Sequence, residues 1–127
     1  MAKQTTKKKV KKKVFYGRKT KRAFAKKGAG NKMTVEYFFV LKKFEKPDTH
    51  IEEIWWYDIR KHQLTNRPML DKDIPYALIP HGPYKKYVDT MLVESGVFYV
   101  GTKHARWMTY DGRGQLIEKV KYNKGYT

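Results

Sequence analysis

The chain contains no cysteine. Disulfide staples and thiolate zinc sites are therefore excluded, although this absence selects no compartment. No apolar run approaches the roughly 18 residues that a membrane-spanning helix needs. Serine occurs once, as Ser95 in Glu94-Ser95-Gly96, without the pattern of a nucleophile elbow. Acids are missing from the first 32 residues, which hold 14 of the 29 Lys and Arg and none of the 12 Asp and Glu. Most of the net charge of +17 therefore sits at the N-terminus, and the remaining residues have the balance of an ordinary soluble domain.

Aromatic residues are abundant at 15%, and they lie on a repeat. His81-Gly82-Pro83-Tyr84-Lys85-Lys86-Tyr87 is answered 23 residues later by His104-Ala105-Arg106-Trp107-Met108-Thr109-Tyr110. Leu92-Val93-Glu94 is answered by Leu116-Ile117-Glu118, and Phe98-Tyr99-Val100-Gly101 by Tyr122-Asn123-Lys124-Gly125, at an offset of 24. The growth of the offset places one extra residue in a turn of the second copy. A period in this range marks a unit that cannot bury its own apolar face and stacks on its neighbour.

Dense turn residues between these short runs predict strands. Tyr84–Val88 and Met91–Tyr99 read as one hairpin around Asp89-Thr90. Ala105–Tyr110 and Gln115–Tyr122 read as a second around Asp111-Gly112-Arg113-Gly114, whose Asp-Gly is a favoured turn pair. Thr34–Leu41 reads as an earlier strand. His50–Ile59 reads as its partner in a hairpin or meander, with Trp56-Tyr57-Asp58 and Leu64 a worn earlier copy of the repeat. Arg60–Pro80, with Pro68, Pro75 and Pro80, reads as a folded loop covering the sheet, pinned by Met69, Leu70, Ile74, Tyr76 and Leu78. The expected fold is all-β, an antiparallel meander of stacked hairpins. Its expected divisions are a disordered or extended basic tail over 1–32, a hairpin and loop over 33–80, and the two repeats over 81–127.

Dense like charge leaves little to bury, so the tail is expected to be unstructured, with Gly28–Asn31 as its hinge. Lys7, Lys8, Lys9, Lys11, Lys12, Lys13, Arg18, Lys19, Lys21 and Arg22 are the candidate polyanion-binding residues. A nucleic acid, an anionic membrane surface or an acidic protein would each satisfy them, and such binding fades as salt rises. Phe15, Tyr16 and Phe24 among these cations suit stacking on bases or insertion among headgroups.

The residues Phe98, Gly101, Lys103-His104-Ala105, Trp107 and Tyr110, preceded by His81, Gly82, Tyr84 and Tyr87 and resumed by Tyr122 and Gly125, resemble MORN-type repeats. They are most similar to the bacterial variant labelled YwqK-family antitoxin or MORN-repeat variant proteins. Lys13–Lys21 is similar to the segment before the repeats in exported envelope proteins of that kind. The resemblance implies a scaffold or binding surface, an alternative role in neutralising a toxin, and further copies after Gly125-Tyr126-Thr127. The strand at 115–122 is accordingly expected to be an open edge, or a seam to a protein partner. Ala105 stands where the pattern has glycine, so that turn must accept a Cβ. No secretory signal is read at the N-terminus, which points to the cytoplasm, or to the bacterial envelope or periplasm if a signal segment was removed.

No catalytic residue, cofactor, metal site or small-molecule substrate is expected. His81 and His104 share one repeat position and would face the same way. Glu52-Glu53 alternate across a strand and make no carboxylate pair. Gly28-Ala29-Gly30 precedes a strand, and so is not a phosphate-cradling loop. The expected function is a non-enzymatic protein-interaction scaffold with an anion-binding arm, for which the resemblance offers a place in a cell-envelope assembly; the alternative is a nucleic-acid-associated protein using the same arm.

Overall fold

A computed structural model describes residues 13–48, 51 and 53–127. Ten strands occur among the described residues: β1 (Val14–Phe15), β2 (Arg18–Ala29), β3 (Lys32–Leu41), β4 (Trp56–Asp58), β5 (Gln63–Thr65), β6 (Ala77–Leu78), β7 (Gly82–Val88), β8 (Met91–Tyr99), β9 (Thr102–Tyr110) and β10 (Leu116–Tyr122). A 3-10 helix, Asp71–Tyr76, precedes β6. Seven strands form one antiparallel sheet in the order β1-β2-β3-β7-β8-β9-β10, and β5-β4-β6 form a second. The all-β meander expected from the sequence is the fold. No helix among the described residues is long and apolar enough to cross a membrane.

Two expectations about the first half are corrected. The tail boundary at residue 32 moves back, because Arg18–Ala29 is a strand paired with β3 from Thr20↔Leu41 to Ala29↔Lys32. Alternation explains how so basic a segment joins a sheet. Ala23 and Ala25 turn toward the core, while Arg22, Phe24 and Lys26 face water. Long lysine side chains keep their charge solvated while the backbone pairs. Gly30-Asn31 is then a two-residue hairpin turn, with Gly30 at φ 63°, and not a hinge. Lys7, Lys8, Lys9, Lys11 and Lys12 lie outside the described residues.

The second correction concerns His50–Ile59. Only Trp56–Asp58 is a strand, and it pairs with β5 and β6, not with β3; His50 and Glu52 lie outside the described residues. Beside β3 sits β7, so the repeat region extends the sheet directly. The small sheet, inserted between β3 and β7, lies over the inner face of the large one. Tyr57 and Leu64 of the small sheet join Ala25, Phe38, Tyr84, Phe98 and Trp107 in one core, and Trp56, Ala77 and Ile79 join Leu41 and Val100 in another. Covering the face is the role expected of Arg60–Pro80, but its anchors differ. Met69 and Leu78 pack against the cores, whereas Leu70 and Tyr76 are exposed.

A buried ionic cluster fixes this cover. Asp58 and Asp73 are almost fully buried. Arg60 binds both carboxylates, at 3.0 Å and 2.7 Å, and Arg67 binds both, at 3.2 Å and 3.5 Å. Each guanidinium also lies over a ring, Arg60 over Tyr76 and Arg67 over Trp56. Leu70 N–H completes the set on Asp73 at 2.9 Å.

Candidate functional site: the repeat turns and the two sheet faces

The repeat carries a turn device. Between β8 and β9, Val100 and Gly101 have φ of 42° and 80°; after β10, Lys124 and Gly125 have 49° and 97°. Paired positive φ is the two-residue geometry whose twist suits a hairpin. His81 Nδ1 accepts Val100 N–H at 2.9 Å, and His104 Nδ1 accepts Lys124 N–H at 3.0 Å. Gly101 N–H donates to Pro80 C=O at 2.9 Å and Gly125 N–H to Lys103 C=O at 2.8 Å. The repeat histidines are thus turn caps. His81 Nε2 is also engaged, donating to Phe15 C=O at 2.7 Å. These bonds fix the neutral form, and no group of three potential metal ligands occurs among the described residues.

The environment of His81 makes stability depend on pH. Burial pushes its pKa down, opposed by the Phe15 carbonyl and aided by Arg18 and His104, while Glu45 acts upward. Burial and Lys124 push His104 down as well. A lowered folded value means that the unfolded chain binds the proton first. Stability is then full above the ordinary histidine range and is lost as pH falls below about 6.5. Thermal melts across that range should show the decline, and His81→Phe should flatten it at a lower overall stability.

Glycine is needed at one of the two matched repeat positions and not at the other. Gly82 has φ 111°, and a Cβ there would sit 2.6 Å from the Phe15 ring. Ala105 also has positive φ, 61°. Gly82→Ala should destabilise by about 1–3 kcal/mol through overpacking. Ala105→Gly should gain about 0.5 kcal/mol, the relief of left-handed strain being partly offset by added freedom when unfolded. Urea denaturation of both variants tests the opposite signs. The Asp111–Gly114 turn differs from its expected chemistry too. Gly114 takes positive φ (82°) while Gly112 does not, and Asp111 Oδ1 accepts Arg113 and Gln115 N–H.

Of the repeat-defining aromatics, Tyr84, Phe98 and Trp107 form the inner core. Tyr84 stacks on Trp107 at 5.2 Å, and Phe98 meets Trp107 edge-on at 5.0 Å. Tyr84 donates its hydroxyl to Glu36, whose pKa is raised by burial against that bond. A cleft of about 540 Å³ opens between the two sheets over these rings, with Lys27, Lys61, Lys86 and Lys103 in its lining. Lys103 Nζ fills part of it, 4.8 Å from the Trp107 ring, 5.6 Å from Trp55 and 5.8 Å from Tyr122. Ser95 sits mid-strand opposite Met108, and no hydrogen bond joins it to a histidine among the described residues.

The candidate cations divide. Arg18 is committed to Glu45, at 2.8 Å and 3.0 Å, and to the Tyr99 hydroxyl at 3.4 Å. Lys13, Lys19, Lys21 and Arg22 are exposed. Register sorts the acids. Ala25, Glu36, Lys86, Glu94, Thr109 and Glu118 form one cross-strand row, and buried Ala25 places that row on the inner face. The neighbouring row is Phe24, Tyr37, Lys85, Ser95, Met108 and Lys119, on the outer face. Composition hinted at Phe24; Tyr37 and Lys85 join it only through pairings between distant segments. At one end of the array β10 pairs with β9 alone among the described strands, with Leu116 and Ile117 49% and 62% exposed.

No protein-family model, curated protein or solved structure matches the chain.

Proposed function

We propose that this is a non-enzymatic binding protein, a β-hairpin scaffold of MORN-like type that joins a protein partner to an anionic surface. One observation carries the reading: β10 is an outermost strand of the large sheet, its outer edge is unpaired among the described strands, and it bears exposed Leu116 and Ile117. Unpaired N–H and C=O groups beside apolar side chains are a template for strand addition. Exposed Lys13, Lys19, Lys21 and Arg22, with Lys7–Lys12 before them, supply the anionic attachment.

The test uses the full chain as bait, beside a chain lacking residues 1–12 and a Leu116→Asp/Ile117→Asp variant, at two salt concentrations. The partner should survive loss of residues 1–12 and disappear with the edge variant. A partner retained undiminished by the edge variant would sink the strand-addition reading. Shortening must stop before residue 14, because removing residues 1–32 takes away β1 and β2.

A further inference from the structure

We propose that the outer face of the large sheet is a binding platform for single-stranded nucleic acid. The inference deepens the anionic half of the reading above and rests on it. Composition alone leaves several polyanions open; the arrangement of rings and charges on this face narrows them.

Alternation sends the strand carboxylates Glu36, Glu94 and Glu118 to the inner face. The outer face keeps Arg22, Lys26, Lys85, Arg106, Lys119 and Lys121, all exposed. A cationic surface onto which the strands turn no carboxylate, with Glu45 held by Arg18 at its β1 end, complements a phosphate backbone. Within it lie bare rings. Phe24 and Tyr37 are direct cross-strand partners, 56% and 52% exposed, and Tyr37 meets Tyr87 of β7 edge-on at 5.9 Å. Lys26 sits over the Phe24 ring at 5.6 Å. Half-exposed aromatics are anomalous on a solvated strand face, yet they are the feature that holds unpaired bases.

The β1 hairpin covers only one end of this face, with Phe15 on Phe39 and Tyr16 on His81. The row from Phe24 to Lys119 crosses six strands, about 24 Å at the usual strand spacing. That length accommodates on the order of four nucleotides, the lower end of the range for single-strand platforms. A duplex hides its bases and offers the rings nothing to stack on. The rings stand at mid-strand positions within the sheet and not at projecting loop tips, which disfavours insertion into a bilayer.

The experiment is fluorescence anisotropy of the full chain with labelled oligothymidylate of about 12 nucleotides. A duplex of equal length, heparin and phosphatidylserine vesicles are the comparators. Single strands should bind more tightly than duplex. Phe24→Ala and Tyr37→Ala should each weaken single-strand binding about tenfold while leaving heparin binding and the salt slope unchanged. Arg22→Ala or Lys85→Ala should instead reduce the slope of log K against log salt by about 0.7. Phe24→Leu and Tyr37→Leu keep apolar bulk without the ring, and melting curves establish that each variant is folded. Equal affinity for single strand, duplex and heparin, insensitive to the ring variants, overturns the platform while leaving the anionic reading intact. Ring-dependent binding to vesicles but not to the oligonucleotide overturns it in favour of a membrane. Failure to bind any polyanion at low salt overturns both.

Discussion

Asp58→Ala is expected to destabilise the protein by about 1 to 3 kcal/mol, the range for removing a buried acceptor from its hydrogen-bonded donors, the two guanidiniums left behind being partly exposed. The variant leaves Arg60 and Arg67 with Asp73 as their one remaining shared carboxylate. It also strips Arg60 N–H of its acceptor, a 3.0 Å bond to Asp58 Oδ1. Because Asp58 lies in β4, the central strand of the small sheet, the loss should loosen the whole cover over the main core. Replacing an exposed acid such as Asp71 should change stability by less than about 0.5 kcal/mol. Chemical denaturation of the two variants makes the comparison.

The same cluster sets the acid limit of the fold. Hydrogen bonds from Arg60 and Leu70 hold the Asp73 pKa down at about 2 against the opposing effect of burial. Asp58 is lowered by Arg60 and, less, by Arg67. A lowered folded pKa stabilises the protein above the unfolded aspartate value, and that stabilisation disappears as pH falls through the folded one. Melting temperature should therefore drop between about pH 4 and about pH 2, and Asp73→Asn should remove much of that dependence. An unchanged acid profile in the variant would show that the cluster does not govern it.

Gly96→Ala is expected to be the second large effect. A Cβ at residue 96 would lie 2.2 Å from Trp107 Cδ2, inside any tolerable contact. The indole cannot step aside cheaply. It is 5% exposed, donates Nε1–H to Val97 C=O at 3.0 Å, and stacks on Tyr84. Overpacking of this kind costs about 3 kcal/mol or more, whereas Trp107→Ala forfeits about 3 to 5 kcal/mol of burial. The double variant should be markedly less unstable than the sum, since the smaller side chain makes room for the added methyl. Additive losses would mean that Gly96 is required for some reason other than the ring.

The repeat was legible because its signals are local: an aromatic run, a turn, and the same run again. Its hairpins, its terminal edge strand and the backbone demand at Ala105 all follow from short stretches of chain. Segment 18–29 hides its strand behind its charge, which is a poor measure of order. What decides order there is the alternation of Ala23 and Ala25 with Arg22, Phe24 and Lys26, a pattern of period two. Trp56–Asp58 was paired with the wrong strand because strand order is a non-local property, and β7 competes for the same edge of β3. The outer row from Phe24 to Lys119 was likewise beyond reach, since it joins six segments whose registers only the assembled sheet defines. The Asp58–Asp73 cluster had a faint trace in the sequence, acids and arginines spaced through an otherwise proline-rich stretch.

The histidine-capped turns give the sheet two rims of different character. Val100-Gly101 and Lys124-Gly125 lie on one rim, each tied by a side chain and a carbonyl from the adjoining unit. The Asp89-Thr90 turn and the Asp111–Gly114 loop lie on the other, and the change of offset from 23 to 24 is absorbed there. The first rim works as a fixed-pitch spine: an inserted residue would break a cap and misalign every later strand. The second is a fringe, where chain can be added without disturbing the pitch. Length variation, foreign epitopes and fluorescent inserts belong on the fringe, and a designer adding further hairpins to this sheet would copy the spine unchanged.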